Sequence, residues 1–98
     1  MLEAQIQQAM RGRRVVGFYY DGYYREVEPH VLGLTNGVHQ FLGYQIGGQS
    51  RSGTIPDWRR FDLNRIGSLQ EANRLFGGPR PTATSRHSRW DHVIEIVS

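Results

Sequence analysis

Val15-Val16-Gly17-Phe18-Tyr19-Tyr20-Asp21-Gly22-Tyr23-Tyr24-Arg25-Glu26-Val27-Glu28 is the stretch that decides the fold. Val16, Phe18 and Tyr20 alternate with Val15, Gly17 and Tyr19, and both rows are largely apolar or aromatic. Asp21-Gly22 is a two-residue turn signal, because both residues tolerate the positive φ that a tight hairpin requires. The returning strand runs from Tyr23 to about Leu34, with Pro29 marking an edge or a bulge, since proline has no N–H to give to a ladder. Thr35-Asn36-Gly37 repeats the signal, and Val38 to Ile46, rich in Phe41, Leu42 and Tyr44, reads as a third strand. Two consecutive hairpins make a meander.

Upstream, Leu2, Ile6, Ala9 and Met10 share one face at helical spacing, so residues 2–11 form a short helix stopped by Gly12. The run Arg11-Gly12-Arg13-Arg14 follows it, either as a solvated helix end complementing the macrodipole or as a phosphate contact. Downstream, residues 47–53 form a polar, Gly-rich connector, and Trp58 to Ile66 reads as a fourth strand with Phe61 and Leu63 on one face. Ile66 to Leu69 begins a short fifth strand before a turn near Leu75-Phe76. The expected class is mainly β with short flanking helices, about five short strands curling into a small barrel. Residues 77–89 read as a linker after a first domain of residues 1–76. For residues 90–98 two readings stand. Ser88-x-x-Asp91 resembles a capping box, and Trp90, Val93, Ile94 and Val97 have helical spacing, which favours helix; the β-branched run Val93 to Val97 favours an edge strand.

The chain has 98 residues, enough for one domain and one modest core. It has no Cys, so disulfides and thiolate metal sites are excluded, as in a reducing compartment. Residues 1–10 carry Glu3 and several Gln rather than an apolar signal core, and no run approaches the ~18 apolar residues of a membrane span. A cytoplasmic protein without membrane partners is expected. The formal net charge is +3, and all 12 basic residues are Arg. Arginine bonds phosphate and carboxylate bidentately, so the bias fits a phosphate-facing surface; it equally fits a coding sequence that favours Arg codons.

With the strands placed, Arg25-Glu26-Val27-Glu28-Pro29, then Leu32, Gly37, Phe41-Leu42-Gly43-Tyr44, and Arg59-Arg60-Phe61-Asp62-Leu63-Asn64-Arg65-Ile66 resemble the WYL domain family over residues 3 to 76. The resemblance implies an Sm-like small β-barrel of the kind that follows a winged-helix DNA-binding domain in bacterial transcription regulators and binds nucleic acid or nucleotide-like ligands. This chain looks like a stand-alone WYL domain protein without the helix-turn-helix domain. It departs from the pattern at His39-Gln40-Phe41, where the name-giving Trp-Tyr-Leu stands, and at Asp62 and Asn64, where Arg and Asp are common.

Arg25, Arg59 and Arg65 match the family's basic positions. Alternation also places Arg59, Phe61, Leu63 and Arg65 on one face and Arg25 beside Val27. Arginines on an apolar face need partners. Either Asp57, Asp62, Glu26 or Glu28 neutralises them internally, or they form a shared anion pocket at the barrel rim. Tyr20 and Tyr44, expected on neighbouring strands, are either core residues or stacking platforms for bases. Tyr19, Tyr23 and Tyr24 gather at the first hairpin as a stacking surface or a dimer patch. Arg80, Arg86 and Arg89 read as solvated.

No catalytic set assembles. His87 and His92 with Asp91 lack a metal spacing, His30 and His39 read as packed or exposed rings, and Ser50 and Ser52 sit in a Gly-rich loop unsuited to a nucleophile. No cofactor is expected. The leading expectation is a non-enzymatic module that binds single-stranded nucleic acid or a nucleotide-like effector; the alternatives are a homodimer, or a regulatory module with a protein partner.

Overall fold

Both tight turns form as expected. Asp21 and Gly22 take φ of 54° and 79°, Asn36 and Gly37 take 51° and 76°, and the flanking pairs Tyr20–Tyr23 and Thr35–Val38 close the ladders. The structure, a computed structural model, describes residues 2–49, 53–81 and 89–98. Helix α1 (Leu2–Gly12) leads into β1 (Arg14–Tyr20), β2 (Tyr23–Thr35), β3 (Val38–Gly48), β4 (Asp57–Asp62), a single 3-10 turn (Leu63–Arg65), β5 (Gly67–Leu75) and β6 (His92–Ile96).

The strands form one antiparallel sheet in the order β4-β3-β2-β1-β5, with β6 added to β2. The two ends of the path, β4 and β5, are joined by the 3-10 turn, and no ladder connects them among the described residues. The sheet is therefore open where a closed barrel was expected. It is nevertheless curled, with principal extents of 29 × 28 × 27 Å.

The curl originates in β2. Register shifts fall between Glu26 and Val27 and between Pro29 and Val31, the second at the residue that has no N–H to contribute. The first half of β2 pairs with β1, and the second half presents the same edge to β6 through Val31–Ile96, Leu32–Glu95, Gly33–Val93 and Leu34–His92. This vacated edge explains why residues 92–96 are a strand rather than the favoured helix. Asp91, read as part of a helix cap, instead accepts the Asn36 N–H on its carboxylate at 2.6 Å and donates its own N–H to the Leu34 carbonyl. A β-branched segment beside an unpaired ladder gains backbone bonds that an isolated helix of two turns cannot match.

Gly33 makes this docking feasible. A Cβ there would lie 2.6 Å from both the His92 carbonyl oxygen and the Trp90 ring. Gly33→Ala is expected to cost about 1–3 kcal/mol through overpacking. Hydrogen exchange should show the loss as weakened protection in β6 and in residues 31–34, with the first hairpin unchanged.

Strands β4 and β5 also depart from expectation. Alternation in β4 ends at Asp62, and the chain turns at Leu63–Arg65, so Arg65 does not continue the face of Arg59 and Phe61. Strand β5 runs to Leu75, well past Leu69; its mostly polar, exposed residues conceal it in the sequence. Inside the curl, Phe18, Phe41 and Phe61 meet with ring centroids 5.0–5.7 Å apart, covered by Ile6, Ala9 and Met10 of α1.

Candidate functional site

Arg25 lies opposite Phe18 in the first hairpin and turns inward, leaving the residue 4% exposed. Its Nε and Nη2 donate to the Tyr20 carbonyl at 3.3 Å, and its Nη1 donates to Gln45 Oε1 at 3.3 Å. Gln45 is fully buried, and its Nε2 donates to the carbonyls of Gly47 and Gln49, which fixes the amide with its oxygen toward Arg25. The rings of Tyr20, Tyr23 and Phe61 lie 5.5–5.9 Å from the guanidinium carbon. Among the described residues, every direct hydrogen-bond partner of this buried cation is neutral.

Arg59 is half-buried, and among the described residues it makes no ion pair. Its Nη2 donates to the Thr54 carbonyl at 3.3 Å, and its Nε is buried with no hydrogen-bond partner among the described residues. Burial, and then the like charge of Arg59, hold the Arg25 guanidinium below its ordinary value, with Asp21 opposing. Arg65 is different. It is ion-paired to Asp21, lies 3.9 Å from Asp62 and sits 4.6 Å over the Tyr20 ring. Hydrogen bonding to Asp21 raises its pKa. Arg25 and Arg65 both lie against the Tyr20 ring, and Arg59 is near enough to Arg25 to repel it, but Arg65 is already neutralised and Arg25 sits beneath the surface rather than at an open rim.

The tyrosines take separate roles. Tyr20 is 7% exposed, its hydroxyl accepts the Asp62 N–H at 3.0 Å, and its ring packs edge-on against Phe18 and Phe61. It is a core residue, and burial raises its pKa. Tyr44 does not neighbour it, because β2 lies between β1 and β3. Tyr44 packs on Trp58 and lies beneath Arg80 at 4.5 Å. At the hairpin, Tyr19 and Tyr24 meet in a tilted pair with ring centroids 5.3 Å apart and remain exposed.

The remaining basic residues are largely engaged within the fold. Arg11 forks onto Glu95 at 2.9 and 3.0 Å, Arg13 donates to the Ser98 carbonyl, and Arg14 lies 3.6 Å from Glu71. Arg80, read as solvated, donates through Nε and Nη2 to both oxygens of Glu28 at 2.6 and 2.9 Å. Glu28 and His30 are each 3% exposed, with His30 Nε2 3.1 Å from the carboxylate. This cluster was missed, although its signal is simple: Glu28 and His30 are two apart on a strand and so share a face. His39 pairs with Glu3 at 2.7 Å. Ser50, Ser52, Arg86, His87 and Ser88 lie outside the described residues. Among the described residues, no group of three or more His, Cys, Asp or Glu is placed to hold a metal ion, and no helix is long and apolar enough to cross a membrane.

Burial lowers the His30 pKa from 6.5, against the opposing pull of Glu28. Burial alone would raise the Glu28 carboxyl, but hydrogen bonds from Arg80 and His30 bring it below 4.5. Below pH 6.5 the unfolded chain therefore binds the His30 proton more readily than the folded one. The stability present above pH 6.5 is lost as pH falls through the folded value, and Glu28 adds a second loss below 4.5. Urea unfolding between pH 8 and 4 should show both losses, and His30→Gln should remove the first.

No family model, curated protein or solved structure matches this chain.

Proposed function

We propose that this protein is a non-enzymatic binding module for an anionic ligand, carried by Arg25 and Arg59. The observation behind this reading is a pair of neighbouring guanidinium groups whose direct hydrogen-bond partners, among the described residues, are all neutral. Two like charges held together in a partly desolvated setting repel, and an anion placed between them relieves that repulsion. The buried Nε of Arg59, without a hydrogen-bond partner among the described residues, points to the same conclusion. Phosphate suits the planar forks of arginine, and the WYL resemblance supports single-stranded nucleic acid or a nucleotide-like effector, with the curled open sheet standing in for the family's Sm-like barrel and serving transcription regulation in the cytoplasm.

Fluorescence anisotropy with a short single-stranded oligonucleotide tests this reading. Two phosphate contacts give a slope of log K against log salt of about −1.4, and Arg59→Gln should roughly halve it. Absence of binding at low salt, or binding indifferent to salt, would sink the proposal.

The exposed Tyr19–Tyr24 pair favours a second reading, a homo-oligomeric interaction module. Light scattering separates the two, since a strict monomer at high concentration removes the second.

A further inference from the structure

A cavity of about 200 Å³ lies on the sheet face opposite Arg25 and Arg59, walled by Val31, Trp58, Pro79, Ile96 and Val97, with His30 and Arg80 as its polar members. The faces differ because Trp58 and Arg59 are consecutive in β4 and so project to opposite sides. Its electrostatics also differ. Glu28 takes both Nε and Nη2 of Arg80, so among the described residues the full charges at the site cancel. The His30 proton sits on Nε2 against the Glu28 carboxylate, which leaves the Nδ1 lone pair as an acceptor with no protein partner among the described residues. Burial keeps the ring neutral at pH 7. Arg80 Nη1 likewise has no described acceptor and remains a donor.

The cavity thus offers one acceptor, one donor and aromatic and aliphatic walls, without net charge. We infer that this second site binds an uncharged, planar aromatic amide or lactam, whose N–H bonds His30 Nδ1 and whose carbonyl accepts from Arg80 Nη1. The volume falls below the ~300 Å³ at which drug-sized pockets begin, which limits the guest to a single ring system. A charged guest is disfavoured because it would lose hydration beside an ion pair that is already complete.

The experiment uses three probes of one shape and different charge: benzamide, benzoate and benzamidine. Each is titrated against the full chain by chemical-shift perturbation. Benzamide should shift the amides of His30, Val31 and Ile96, with the charged probes weaker by about tenfold or more. Ile96 lines the cavity yet is 61% exposed, so Ile96→Glu should leave the fold intact and abolish the benzamide response. His30→Phe should weaken benzamide through loss of the acceptor. Benzoate binding as tightly as benzamide would show that Arg80 acts as a free cation and overturn the inference. Equal binding of all three, no response at millimolar concentration, or a response unaffected by Ile96→Glu would overturn it as well. None of these outcomes depends on the arginine site, so the two proposals fail separately.

Discussion

Arg25→Met is expected to lower affinity for a phosphate ligand by about 2–5 kcal/mol, thirtyfold or more, while changing stability by no more than about 1 kcal/mol. The combination follows from opposing effects. Methionine removes a buried charge that the fold hydrates poorly and Arg59 repels, which favours the variant. It also strips Gln45 Oε1 of its donor, and an orphaned buried acceptor costs about 1–3 kcal/mol. Adding Gln45→Met should not recover that loss, because it also strips the Gly47 and Gln49 carbonyls of the Gln45 Nε2 donor, so Arg25→Met/Gln45→Met should be less stable than Arg25→Met. A structural keystone behaves differently: breaking a buried ion pair costs about 3–5 kcal/mol. Chemical denaturation of both variants, set beside their oligonucleotide affinities, distinguishes the cases.

Phe18→Ala is expected to be the most destabilising single substitution in the core, at about 3–5 kcal/mol. Phe18 is wholly buried and stands edge-on to Tyr20, Phe41 and Phe61 at once, so its loss opens a cavity where β1, β3 and β4 meet. A domain of this length holds about 5–15 kcal/mol in total, and each kcal/mol shifts its midpoint by about 4–8 °C. The thermal midpoint followed by circular dichroism should therefore fall by about 12–40 °C. A fall of only a few degrees would show that the ring cluster is not the centre of the core. Phe18→Leu should lie between the two.

The parts of the fold that local chemistry dictates were legible in the sequence. Asp21-Gly22 and Asn36-Gly37 supply the positive φ that two-residue turns need, so the meander followed directly. What escaped depends on distant contacts. Strand β6 exists because Pro29 and its bulge turn half of an edge of β2 away from β1, which no local pattern in residues 90–97 reveals. The fourth strand stops at Asp62 although Leu63 and Arg65 continue its alternation.

The candidate site divides in the same way. Arg25 and Arg59 were recognisable as inward-facing basic positions, and their charges do neighbour each other, whereas Arg65 lies in the turn beyond β4 with its side chain half exposed. The neutralisation of Arg65 by Asp21 was hidden because the partner is a turn residue on another hairpin. Arg80 looked like part of a polar linker, and its partner Glu28 lies 52 positions earlier. Tyr44 was paired with Tyr20 because both are strand aromatics, yet the intervening β2 places them apart.

The proposed binding of an anion rests on Arg25 and Arg59 acting together. Its most direct test is the thermal midpoint of the wild type and of Arg25→Met as inorganic phosphate rises at constant ionic strength. A ligand that binds only the folded state raises the midpoint by mass action, so the wild-type midpoint should climb with phosphate while that of Arg25→Met stays flat. Parallel curves for the two proteins, whether both climbing or both flat, would contradict the account.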